Sequence, residues 1–155
     1  MSTTTHDAYQ EVLALVSVGI NEAMSGVTEH IDGPLTVRWP YTTRPEKPPT
    51  NGVWCEVYIG TDSERQSALS TQVGDEGCRV FDATGTVGII VRIPTSITNV
   101  PMWYIKFASR LRNAFRKSTT GKVWYRNSRI SDNLNVEDSY YMFSVVSEFT
   151  FSEIV

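Results

Sequence analysis

The side chains of this 155-residue chain that could serve as nucleophile, base or metal ligand are few and scattered: His6, His30, Cys55 and Cys78. A catalytic nucleophile needs a base within hydrogen-bond reach, and a structural zinc site takes four Cys or His ligands. Here His6 stands at the entrance of a predicted helix and His30 in a loop. Both cysteines fall in predicted strands, where they are expected as buried, reduced thiols. The chain has no G-x-S-x-G elbow, no H-E-x-x-H and no P-loop. Gly85 and Gly88 lead through a predicted strand instead of into the helix N-terminus that a phosphate cradle requires. The acidic pairs Asp75-Glu76 and Glu137-Asp138 lie in polar loops, without the burial or convergent charge that shifts a carboxyl pKa. The expectation is a protein that is not an enzyme and holds no cofactor or metal.

Charge distribution says more. Residues 99–117 contain Lys106, Arg110, Arg112, Arg116 and Lys117 and no acid, so removing that +5 from the net charge of −3 leaves −8 for the rest of the chain. One basic helix in an acidic protein suits complementary docking between copies or onto a partner. A contact with nucleic acid is the other possibility, favoured by the aromatics Trp103, Tyr104, Trp124 and Tyr125 around the cations. No sequence-reading motif accompanies them.

The elements that position these residues follow from periodicity. Tyr9, Val12, Val16, Ile20 and Ala23 recur at helical steps and predict a first helix over about 5–24, capped by Thr5 or Asp7 and stopped at Gly26. A short strand is expected over 35–39. Residues 40–52, with four prolines, read as an extended connector. Val53, Cys55, Val57 and Ile59 alternate with Trp54, Glu56 and Tyr58, which predicts a half-buried strand ending at Gly60–Ser63. Residues 64–76 are mostly polar with weak period and read as a frayed strand or a projecting arm; the arm, taken as 61–76, is the favoured expectation, poorly packed in the isolated monomer. A hairpin is expected next, from Cys78–Asp82, a DATG turn at 82–85 and strand Thr86–Pro94. A second helix over 100–117 carries Tyr104, Phe107, Ala108, Leu111, Ala114 and Phe115 on one stripe, with Pro101 in its first turn. Strands are expected over 122–126 and 129–130, and a long last one over 140–152.

The order implies one α+β domain over residues 1–155, a mostly antiparallel sheet with two amphipathic helices packed on one face. Its length suits a single ordinary core, and no apolar run reaches the ~20 residues of a membrane-spanning helix. The polar N-terminus is unlike a secretory signal, which implies a cytosolic site of synthesis. Trp54, Tyr58 and Ile90, with Tyr140, Met142 and Val146, fall opposite the helix-covered face. Apolar side chains there ask for a cover, either a partner or a further layer from the same chain.

The succession Pro48-Pro49, Trp54 opening a strand, Gln66-Ser67-Ala68 and Arg79 then continues with Gly85 before Val87–Ile93 and Pro94 at the strand end. A helix bearing Leu111-Arg112 and Phe115 follows. Over residues 48–117 this resembles the tail terminator (tail completion, tail-to-head joining) proteins of long-tailed bacteriophages. It departs from them at Leu69-Ser70, where a glycine often follows, and in the loop TSITNV, which lacks the usual glycines. The resemblance implies a ring, commonly of six subunits, that caps the tail tube, stops its polymerisation and joins the head connector. DNA would pass through the lumen without sequence-specific binding. It implies a virion protein, made in the host cytoplasm, whose partners are its own copies, the tube protein and the connector, with no membrane. No catalytic residues come with it. The candidate contact residues are Trp54, Tyr58, Arg65, Gln66, Arg110, Arg112 and Arg116, and the arm 61–76 and the final strand 140–152 are candidates for pairing across subunits or with the tube. The alternatives are another neck or head-completion connector, or a small nucleic-acid-binding module using helix 100–117.

Overall fold

A computed structural model of the chain describes residues 4–27, 35–40, 52–69, 79–95, 100–118, 121–131, 135–137 and 140–154. The elements run α1 (Thr5–Ser25), β1 (Thr36–Arg38), β2 (Trp54–Leu69), β3 (Arg79–Pro94), α2 (Val100–Lys117), β4 (Trp124–Ile130), β5 (Asn135–Glu137) and β6 (Tyr140–Ile154). They build an α+β fold whose six-stranded sheet has the order β1-β2-β3-β6-β4, with β5 also paired to β6. All pairs are antiparallel except β1 with β2. The proline-rich connector expected at 40–52 lies, apart from its ends, outside the described residues.

One face of the sheet is dry. Successive rows across β2, β3 and β6 are Cys55–Val91–Phe143, Val57–Ile89–Val145 and Ile59–Val87–Ser147, followed by Thr61–Gly85–Phe149. Ala8, Val12, Val16, Ile20 and Ala23 of α1 and Phe107, Ala108, Leu111 and Phe115 of α2 bury their stripes against it. Both helices therefore lie where the 3.6-residue pattern placed them. The α1 cap is Thr4, whose Oγ1 accepts from the Asp7 N–H at 3.1 Å, one residue earlier than expected. Ser147, buried in this row, bonds to Ser128 Oγ at 2.8 Å, so the polar pair satisfies itself within the core.

Three expectations are corrected. The DATG turn does not form: Asp82, Ala83, Thr84 and Gly85 lie inside β3. They pair with Arg65, Glu64, Ser63 and Thr61 on one side and with Ser152, Phe151, Thr150 and Phe149 on the other. A ladder on both edges outweighs local turn preference. The hairpin is instead β2 with β3. The arm expected from Thr61 is, as far as Leu69, a continuation of β2 with register shifts at Thr61/Ser63 and Gln66/Ala68; the rest of it, 70–76, lies outside the described residues. Bulges of this kind let a strand continue through an aperiodic sequence. Finally, β6 is covered on both sides over most of its length, by β3 on one side and by β4 and β5 on the other; among the described residues, Phe151–Ile154 pair with β3 alone.

The strands expected over 122–126 and 129–130 are one element, β4. The break in the pattern is Asn127, at φ 53, beside a register shift between Arg126 and Arg129. Asparagine tolerates this left-handed conformation better than most residues.

Candidate functional site

Among the described residues no cluster of three His, Cys, Asp or Glu could hold a metal ion. His6 is exposed beside Asp7, at 3.7 Å. Cys55 is fully buried in the sheet, and burial pushes its thiol up to about 12. A folded-state value above that of the unfolded thiol means the native state keeps its proton longer. Stability from this group is whole below pH ~9 and is lost as pH rises toward 12. In a Cys78→Ser variant, Cys55 is therefore expected to resist a thiol reagent at neutral pH until denaturant is added, and urea midpoints should fall through the alkaline range. Rapid labelling of the native protein would count against this burial.

On the sheet face away from the helices, Trp54 is a correction. It is only 6% exposed. Arg92 and Arg38 stand over its ring with their guanidinium carbons 4.5 and 5.1 Å from the centroid, and Tyr140 meets it edge-on at 6.5 Å. Arg92 is also 3.5 Å from Glu56. The cover over Trp54 comes from this chain's own cations, which lay their planar groups on the aromatic face. Tyr58, two residues on, remains 39% exposed. Its ring occupies the space over Gly88, its cross-strand partner, where any Cβ would collide with it. Partial burial raises the Tyr58 hydroxyl pKa, with Arg129 pulling the other way.

The cations of α2 divide by helical phase. Arg110 turns toward α1, where its Nη1 donates to the Glu22 carbonyl at 3.2 Å and to Ser25 Oγ at 3.4 Å, so it caps the neighbouring helix's last turn. Arg112 and Arg116, one turn apart, face β4 instead. They border a groove with Tyr104, Ile105 and Ser128–Ser131. Arg116 Nη2 donates to the Ser128 carbonyl at 3.2 Å, while Arg112 Nε is buried with no hydrogen-bond partner among the described residues. Tyr104 packs on Phe143 and Tyr125 on Phe115. Of the flanking aromatics whose side chains are described, these two point inward and Trp124 is exposed; the side chain of Trp103 lies outside that description.

Arg65 and Gln66 lie on the outer half of β2. Residues Asp62 to Gln66 are exposed at every position, whereas Val57 and Ile59 are buried. Beyond Thr61, in the outer part of the β2–β3–β6 ribbon, both faces of β2 are wet, while Ala83 of β3 and Phe151 of β6 on the neighbouring strands stay buried in the core. Its joint with the body is tied by Tyr9 Oη and Thr61 Oγ1, 2.8 Å apart, and by Thr86 Oγ1 donating to Asp62 at 2.6 Å. The seven candidate contact residues therefore do not form one patch. Trp54 and Arg110 serve the monomer, Arg112 and Arg116 line the α2/β4 groove, Tyr58 stands on the far face, and Arg65 and Gln66 stand on the ribbon. Sequence reasoning passed over Glu64 and Glu153 on that ribbon. The alternation Phe149, Phe151, Glu153 was the signal for the second of them.

No family model matches the sequence, and no curated protein matches it. One solved structure is 15% identical, covers 90% of this chain and 94% of its own, and superposes with a TM-score of 0.49. Likeness at that level carries no argument about function.

Proposed function

We propose that this chain is a structural phage protein of the tail-terminator kind, a subunit of a ring that caps the tail tube, stops its growth and joins it to the head connector. The observation that carries this reading is the presence of two unlike surfaces on one core. The outer part of β2, paired to β3, is polar and exposed at one end of the strands, and an arginine-bearing groove runs along the β4 edge. A cyclic ring requires such a pair of different, complementary patches on every subunit. The acidic remainder of the chain suits a channel through which DNA slides, because phosphate affinity comes from Lys and Arg contacts. No helix among the described residues is long and apolar enough to cross a membrane.

The test is to mix the purified chain with growing tail tubes and view them by negative-stain microscopy. Rings at one tube end and arrested elongation are expected. Tubes that lengthen unchanged, together with a monomer that binds DNA with a steep salt dependence, would overturn the reading in favour of a nucleic-acid module. The inward packing of Tyr104 and Tyr125 and the α1-capping role of Arg110 already remove part of the surface such a module would use.

A further inference from the structure

We propose that copies of this chain join head to tail, the acid-flanked end of the β2–β3–β6 ribbon of one molecule seating in the α2/β4 groove of the next. The proposal rests on the ring reading above and names the contact that would build the ring.

The groove has the chemistry of an acceptor site for an acidic segment. Ile105, Ser109, Arg112 and Arg116 are spaced four, three and four residues apart and share one face of α2. Ile105 is 54% exposed at the groove's rim, a large aliphatic side chain turned to water. The buried Nε–H of Arg112 has no acceptor among the described residues. A buried guanidinium donor left unmade is costly, and a carboxylate is the group whose two oxygens match the guanidinium fork. Arg116 is held in place by its bond to Ser128 and retains further N–H donors for the same purpose.

The ribbon carries the complementary pattern. Glu64 pairs with Ala83, and Phe81 with Glu153, in adjacent rows whose side chains share the face that continues the core. There Glu64 and Glu153 flank a shallow concavity floored by Phe81 and Ala83, with one carboxylate on β2 and the other on β6. An apolar floor between two acids meets an apolar knob beside two arginines. The two surfaces sit at different places on one core, so each molecule offers its ribbon to one neighbour and its groove to the other. That contact is heterologous, and it closes into a ring or extends into a filament according to its rotation.

Charge reversal provides a test specific to this pairing. E64R/E153R makes both surfaces basic, and R112E/R116E makes both acidic. Each variant alone is expected to sediment as a monomer, whereas an equimolar mixture regains assembly by strict alternation, every ribbon again meeting a groove of opposite sign. The neutral pairs E64Q/E153Q and R112Q/R116Q disturb the fold less. Each is expected to weaken self-association by about tenfold or more, as close charge pairs across interfaces do. Wild-type assembly should also loosen with added salt. Rings that form equally well in all four variants would overturn this contact and leave the ring reading standing. A wild-type chain that stays monomeric in solution and on tail tubes would overturn both.

Discussion

Phe149→Ala is expected to lower the unfolding free energy by about 3–5 kcal/mol, the range for truncating a buried aromatic. Phe149 is fully buried. It meets Tyr9 of α1 edge-on at 6.1 Å and stacks on Phe151 at 6.2 Å, while its backbone pairs with Gly85 on one side and Tyr125 on the other. The ring therefore ties the first turns of α1 to the row beyond which β2 becomes exposed on both faces. Its removal leaves a void that two ladders and a helix, all held by other contacts, cannot close. Urea denaturation should show a lower midpoint at unchanged slope. A loss below about 1 kcal/mol would mean that the site collapses freely, against the tight packing of protein cores. Because the same ring supports the ribbon root, this variant should also weaken assembly at concentrations where the folded state still dominates.

The second large effect is expected at Gly85. A Cβ there would fall within the Gly60 carbonyl oxygen and the Phe149 ring, one a backbone atom and the other a buried aromatic. Neither can move without disturbing the β2–β3 ladder or the core. Gly85→Val is thus expected to cost about 3 kcal/mol or more, at the upper end of overpacking in a filled core. Gly60 supplies the control. A Cβ at Gly60 would meet nothing within 4 Å, so Gly60→Ala should change stability little. Equal losses at the two glycines would show that the close approach at Gly85 is not the cause. The double variant F149A/G85V should lose less than the sum of its parts, because one of the two obstacles to the new side chain has gone. The Gly60 carbonyl remains, so the relief is partial.

The local periodicities were legible from the chain alone. The stripes of α1 and α2, the dry faces of β2, β3 and β6, and the α+β class depend on side-chain spacing, which is a property of the sequence. The inert setting of Cys55 was legible for the same reason, since its strand alternates cleanly around it. What failed was everything that depends on a distant partner. DATG reads as a turn until two strands pair with it, and residues 61–69 read as an arm until β3 runs alongside them. β5, three residues long, went unseen because its ladder with β6 defines it and its own pattern does not.

The candidate surfaces divide in the same way. Charge counting found the basic helix and the acidic remainder, because charge is additive along the chain. It could not say that Arg110 would cap α1, that Arg38 and Arg92 would cover Trp54, or that Arg112 would bury a donor without an acceptor. Nor could it bring Glu64 and Glu153, 89 residues apart in the chain, to the two sides of Phe81 and Ala83. Sequence by itself determined which residues are apolar, which are charged and at what period they recur. Tertiary structure alone decided which charges are spent inside the monomer and which are left facing water, since the partner of a charge is set by strand register and helix phase.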